Sequence, residues 1–296
     1  MSLPAAVCIS SMMMSAKEDT FYDFYVLHAG EPPMIEGLEK IKSAYPNMRL
    51  QYRSVGEAFS GAFEIRGITE AAYYRLLAAE LVPEYDKVIY TDVDVIYQMD
   101  LGSFYDMELC NNIVAAVHAN GIANDKENCR YIQSIGLDPS SYVVSGFLLM
   151  DLAVMREKRL VHRFKELAKN NYKYQDQDIL NIVCKDKIKV IHSKYSLGVA
   201  AIKEIIDSKG LFLSEKKKEI QESNIHYNGA KPWKGWCPSL DLWWECYRKS
   251  PIYDPMVYFS YFYNKLEEYD QLPLTKRIKI LLRFFIVGRK KPTYKF

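Results

Sequence analysis

Asp92 and Asp94 stand two residues apart where a short apolar run, Asp86-Lys87-Val88-Ile89-Tyr90, comes to an end. In an extended segment such residues point to the same side, so both carboxylates can face one hard cation. Holding two acids together is costly unless something positive neutralises them, and a metal would do so. Taken alone, an Asp-x-Asp more often marks a solvated turn. Three other segments carry residues able to do chemistry. Lys173 to Asn181 (KYQDQDILN) gathers amides and acids, Asp176 and Gln177 among them, at an expected loop-to-helix junction, where Asp176 or Asp178 could serve merely as helix-start acids. His226 to Trp233 (HYNGAKPW) brings an imidazole, Gly229 and Lys231 into one loop, which by itself reads as a turn with a surface lysine. Arg75 falls on an Ala/Leu-rich segment before the acidic strand, where a solvated arginine is the ordinary explanation.

These groups need a scaffold, and the pattern around them supplies one. Phe21 to Leu27, Met48 to Tyr52, Asp86 to Tyr90, Ile113 to Val117, Tyr142 to Met150 and Ile188 to His192 read as strands. Helical spacing fills the intervals: Met34 to Ser43, Glu70 to Val82 with Thr69 as N-cap, Val161 to Asn170, and a helix opening at Gln175. Alternation of this kind predicts an α/β fold with a mostly parallel central sheet flanked by helices. Ligands of open α/β sheets bind beyond the carboxyl ends of strands, which is where Asp92 and Asp94 fall. Leu3 to Met14 reads as a buried helix; it is short, interrupted by serines and lacks the basic start of a signal peptide.

Composition narrows the classes. With 49% apolar and 26% charged residues the 296-residue chain can bury a sizeable core and is not disordered. The 39 basic and 37 acidic residues nearly cancel, which argues against a nucleic-acid binder. Six dispersed cysteines without a C-x-x-C pair suggest neither zinc nor a disulfide framework, and point to a reduced, cytoplasmic setting. Positive charge concentrates at the end: after Asp270 there are no acids, while Lys276, Arg277, Lys279, Arg283, Arg289, Lys290, Lys291 and Lys295 alternate with apolar residues. Such a tail suits an anionic membrane surface, or a helix packed on the domain with a solvated basic face. The tyrosine-rich stretch before it, with Trp243 and Trp244, reads as core packing or as an acceptor-side wall.

Taken in order, YYRLLAAELVPEYDKVIYTDVDVIY (Tyr73 to Tyr97), SGFLLMDL (Ser145 to Leu152), KYQDQDILN and HYNGAKPW resemble the family 8 glycosyltransferases over roughly residues 5–235. These are retaining enzymes with a GT-A fold that include bacterial lipopolysaccharide galactosyl- and glucosyltransferases and glycogenin. The resemblance implies a UDP-hexose donor, a cell-envelope glycan or lipid-linked acceptor, an α-linkage and a divalent metal. By position it gives Asp92, Asp94 and His226 to the metal; Arg75, Asp92, Gly229 and Lys231 to the donor nucleotide; and Asp176 and Gln177 to the donor sugar and its reacting carbon. Oxygen ligands with one imidazole favour Mn²⁺, with Mg²⁺ second. Because an amide is a weak nucleophile, Gln177 implies front-face, internal-return substitution. The expected organisation is a catalytic domain over 1–240, an aromatic-rich helical extension over 241–270 and the basic amphipathic tail over 271–296, peripheral on the inner face of the membrane.

Several departures accompany the resemblance. It begins inside the helix that follows the family's first strand, so that strand and its uracil- and ribose-contacting stretch are expected to be missing. Val144 stands where the family often has Asn, Ala119 where Asp is common, and Lys231 follows His226 by five positions rather than six. The competing reading is a catalytically silent GT-A-like protein acting as a membrane-peripheral binding module.

Overall fold

A computed structural model describes residues 2–31, 35–65, 67–208 and 213–288. The strands are β1 (Tyr22–His28), β2 (Met48–Ser54), β3 (Lys87–Thr91), β4 (Val95–Ile96), β5 (Val114–His118), β6 (Val143–Asp151), β7 (Ile188–Ile191), β8 (Leu197–Gly198) and β9 (Ile225–His226). They form three sheets: the parallel pair β1-β2, a central sheet in the order β3-β6-β5-β7, and a small sheet β4-β9-β8. Each expected strand is present to within two residues at either end. The expected mostly parallel sheet holds for strand direction, since β3, β5 and β7 run the same way, but β6 lies antiparallel between β3 and β5. Its sequence, VVSGFLLMD, is a near-continuous apolar run because helices cover both faces, and such a run carries no mark of direction.

The first helix, Ser2–Ser15, is buried nearly throughout, with Ala6 and Val7 at 0% exposure. One of its buried serines is well accommodated: Ser11 Oγ donates to Cys8 O at 2.7 Å and accepts from Tyr97 N at 2.9 Å. Buried hydroxyls must find such partners or cost stability. This helix packs beneath β4 and carries Cys8 against the backbone of Asp92, so it forms part of the floor under the acidic pair.

The expected α-helix over Glu70 to Val82 needs correction. Glu70–Leu77 winds as a 3-10 helix and only Ala78–Leu81 is α-helical. Thr69 makes no side-chain cap; the Glu70 N–H is taken by Glu64 Oε1 at 2.8 Å. Tyr73 through Leu77 are all buried, so packing on every side overrides the helix propensity of Ala and Leu. The tighter turn lets Arg75 Nε reach the carbonyl of Ala72 at 2.8 Å.

The start of the aromatic stretch is core. Trp243, Trp244 and Tyr247 on the helix Leu240–Lys249 are at most 3% exposed and pack with Ile96, Leu197, Ile225 and Tyr227 of the small sheet and its margins. Two further helices, Pro255–Asp270 and Leu274–Gly288, follow. They leave Met256, Phe259, Tyr263, Leu274, Leu281 and Leu282 more than half exposed. The Arg289 to Lys295 part of the basic tail lies outside the described residues. Among the described residues no helix is long and apolar enough to cross a membrane.

Candidate active site and metal centre

Two short ladders assemble the centre. The β3–β6 pairing continues past Thr91, where Asp92 N donates to Gly146 O at 2.8 Å, so Ser145 and Gly146 lie across from the acidic pair. The β4–β9 pairing sets His226 opposite Val95, and Tyr227 N closes onto Asp94 O at 2.8 Å. Those few backbone bonds bridge the long chain separation between the acids and the imidazole.

One ligand atom each from Asp92, Asp94 and His226 falls within 4.8 Å of the others. The second oxygen of each acid is already occupied. Asp92 Oδ1 accepts from Arg75 Nη2 at 2.8 Å and from the Tyr90 hydroxyl at 2.9 Å, leaving Oδ2 3.7 Å from His226 Nε2. Asp94 Oδ2 holds the Lys231 ammonium, leaving Oδ1 3.2 Å from the same Nε2. Asp94 Oδ1 is buried and makes no hydrogen bond of acceptable geometry despite that proximity. A buried carboxylate oxygen without a hydrogen bond, facing an imidazole nitrogen, is a donor pair that a cation would satisfy. Ser196 Oγ lies 3.0 Å from His226 Nδ1, and in this pairing a proton on Nδ1 leaves Nε2 as the lone-pair end. The residues therefore fit a divalent ion with two oxygens and one nitrogen.

Gly146 is the steric condition for the cluster. A Cβ there would stand 2.3 Å from His226 Cε1 and 2.6 Å from Asp92 Oδ2. Gly229 is different: it stays in the exposed loop, and a Cβ would meet only Val199 Cγ2 at an ordinary 3.4 Å. The structure places it two residues before Lys231 without bringing it onto the acids.

Arg75 is no solvated surface arginine. Its side chain is 5% exposed, its Nε sits 3.1 Å from Asp176 Oδ2, its Nη1 donates to Ser145 O, and its guanidinium lies 4.5 Å over the Tyr90 ring. It thus ties Asp176 to Asp92. Burial pushes the Asp176 carboxyl up to about 6 against the pull of Arg75 and the Ser145 hydroxyl, which donates at 2.7 Å. Burial acts the same way on Asp94, but His226 and Lys231 overcome it and hold that acid well below the usual carboxylate range.

Asp176 and Gln177 open the helix Gln175–Val183. Gln175 takes a left-handed φ of 46°, held there by its amide donating to Phe63 O at 2.8 Å. A non-glycine residue in that region is strained, and such strain collects where a side chain must be aimed. Gln177 is half-buried with its Nε2 in the interior. The family model described as Glycosyl transferase family 8 matches residues 2–237.

The chain belongs to glycosyltransferase family 8.

Its relatives agree in kind. A lipopolysaccharide 1,2-glucosyltransferase of Escherichia coli is 24% identical over 83% of this chain and 75% of its own length. A lipopolysaccharide 1,3-galactosyltransferase of Salmonella typhimurium is 23% identical over 73% of this chain and 67% of its own. The galactosyltransferase LgtC, solved with donor and acceptor sugar analogues, aligns at a TM-score of 0.69 and 26% identity, covering 83% of this chain and 91% of that one. The chain spans 52% of the length of a Haemophilus influenzae relative and 56% of an E. coli K12 one. The mixed α/β arrangement of this family 8 member is thus the GT-A-like one expected.

Four residues of the site went unassigned in the sequence: Ser145, Gly146, Ser196 and Tyr90. Ser145-Gly146 could have been found, because a Ser-Gly inside an apolar strand marks a close approach. Ser196 and Tyr90 carry no local signal at all.

Proposed function

We propose that this chain moves glucose or galactose from a UDP-sugar to a cell-envelope glycan with retention, forming an α-glycosidic bond with Mn²⁺ in the site. The reading rests above all on the unpaired Asp94 Oδ1 facing His226 Nε2 beside Asp92, with Lys231 on the same acid. Asp92, Asp94 and His226 would hold a divalent ion, which when bound would supply Lewis-acid charge for the leaving diphosphate. Lys231, on a loop of its own, adds a second cation, and Gly229 leaves room for the backbone there. Arg75 and Asp176 form a buried polar wall suited to sugar hydroxyls. Gln177 presents a carboxamide dipole to the anomeric carbon rather than a nucleophile. The departing phosphate oxygen then accepts the acceptor's proton on the same face, which preserves configuration. Mn²⁺ is preferred over Mg²⁺ because one of three protein donors is an imidazole nitrogen.

Exposed Met256, Phe259, Leu274, Leu281 and Leu282, with Lys276, Arg277 and Lys279 nearby, support seating on the anionic inner face of the cell membrane, next to lipid-linked acceptors. Release of UDP from UDP-glucose and UDP-galactose, with and without Mn²⁺, tests the chemistry. We expect Mn²⁺-dependent turnover by the wild type and a loss of about 100-fold or more in Asp94→Ala; unchanged turnover in the variant refutes the metal assignment. Liposome sedimentation tests the tail: a chain ending at Asp270 should lose binding to anionic vesicles, and equal binding dismisses a membrane role.

A further inference from the structure

Two cations pair with the acids of the metal centre, and they are held very differently. Arg75 is fixed: its side chain is 5% exposed, and besides Asp92 it meets Asp176 and the carbonyls of Ala72 and Ser145. Lys231 is 28% exposed at its side chain. Among the described residues its ammonium makes two bonds, to Asp94 Oδ2 and, at 2.6 Å, to Tyr227 O. An ammonium has three protons to donate, so one is left over.

The loop that carries Lys231 is anchored through its backbone. Tyr227 N bonds Asp94 O at 2.8 Å, the Tyr227 hydroxyl donates to Ser239 O at 2.6 Å, and Trp244 Nε1 donates to Pro232 O at 3.1 Å. Lys234 N and Gly235 N close onto Lys231 O at 2.9 and 3.0 Å. Tyr227 and Pro232 are buried, whereas Asn228, Gly229 and Ala230 between them are exposed. The Lys231 backbone therefore stays in place, and what can move is its flexible four-carbon stem.

Asp94 divides its oxygens accordingly. Oδ1 is unpaired and 3.2 Å from His226 Nε2, whereas Oδ2 is taken by Lys231. A divalent charge held by Oδ1 and the imidazole would share one carboxylate with the Lys231 ammonium, and like charges so close repel where water is partly excluded. Arg75 cannot relieve such repulsion by moving; Lys231 can.

We propose that Lys231 has two stations: it stands on Asp94 as counter-ion while the metal is absent, and it leaves for the diphosphate once the metal is in place. The inference rests on the glycosyl-transfer reading, in which a diphosphate arrives beside the ion. Lys231 then couples the two ligands. Its departure from Asp94 favours the ion, and its arrival on the diphosphate favours UDP, a coupling that is reciprocal by thermodynamic necessity.

The test uses the full chain without acceptor, reading Mn²⁺ affinity by electron paramagnetic resonance with and without UDP. Lys231→Met keeps an unbranched stem and removes the charge. Without nucleotide it should bind Mn²⁺ about 10-fold tighter than the wild type, because no ion pair has to break first; that factor lies between the values for exposed and buried pairs. The factor by which UDP raises Mn²⁺ affinity should fall about 10-fold in the same variant. Lys231→Arg keeps the charge and should bind Mn²⁺ no more tightly than the wild type. In the wild type itself, mass spectrometry should find the Lys231 amine acylated faster on adding Mn²⁺ and slower again on adding UDP as well. Mn²⁺ affinity unchanged or weakened in Lys231→Met overturns the inference, since it marks a fixed structural contact. So does a gain shared by Lys231→Arg, or an amine whose reactivity ignores Mn²⁺. A wild type that binds no Mn²⁺ overturns the inference together with the functional reading. A wild type that binds Mn²⁺ and releases UDP from a UDP-hexose, beside a Lys231→Met that binds no tighter, overturns the inference alone.

Discussion

Gly146→Ala puts the steric argument for the metal centre to its hardest test. The added methyl would begin 2.3 Å from His226 Cε1, 2.6 Å from Asp92 Oδ2 and 3.1 Å from His226 Nε2. Ordinary contact needs about 3.4 Å, so the imidazole must retreat by roughly 1.1 Å and the carboxylate by roughly 0.8 Å. Neither has an easy retreat. His226 is on a strand, 4% exposed, with Nδ1 on Ser196, and Asp92 is held by Arg75 and Tyr90. Ligand distances tolerate about 0.2 Å, so a displacement several times larger should weaken metal binding about 100-fold or more. The strain itself should cost about 1–3 kcal/mol of stability, as overpacking does. Mn²⁺ titration without nucleotide, read by electron paramagnetic resonance, measures the first effect, and thermal melting the second. A folded Gly146→Ala protein that binds Mn²⁺ within about twofold of wild type would refute the reasoning, because the three side chains would then not share an ion.

Further outcomes follow from the same network. Ser196→Ala frees His226 Nδ1 and should lower Mn²⁺ affinity by about 10-fold or more, with little change in melting temperature; titration of the variant checks this. Arg75→Met leaves Asp92 and Asp176 buried without their shared cation, so chemical denaturation should show a loss of about 3–5 kcal/mol. Asp176 is held at about 6 when folded against 3.8 when free, so its contribution to stability is full below pH 3.8 and is lost as pH rises through 6. Asp176→Asn should therefore gain in stability relative to the wild type across that interval, measured by urea melts of the metal-free protein. Ser145 donates to the ionised form of Asp176, so Ser145→Ala should move the acidic limb of the kcat/KM profile to higher pH.

Part of this molecule is written locally and was legible before any coordinates. Strands β1, β3, β5 and β6 are apolar or aromatic runs bounded by turn residues, and their positions emerge to within two residues because period and burial act over neighbouring positions. The geometry that points Asp92 and Asp94 the same way is equally local. The 3-10 turn at Glu70–Leu77 was not legible, since Ala and Leu favour an α-helix and only packing around Tyr73 and Arg75 tightens it. The direction of β6 was hidden for a like reason: a strand covered on both faces reads the same in either sense.

Residue types and short spacings determined which groups are available for chemistry: the two acids, the imidazole, the lysine, and the amide and acid at a helix start. Tertiary structure alone decided their company. His226 meets Asp94 because two residues of β4 pair with two of β9, Gly146 meets Asp92 because β6 runs antiparallel to β3, and Ser196 reaches Nδ1 because β8 lies alongside β9. Arg75 became a buried strut rather than a surface cation by the same route. Local preferences act through bonds and neighbouring side chains, whereas a shared ligand shell depends on backbone pairings between segments far apart in the chain, and those are settled only when the whole sheet closes.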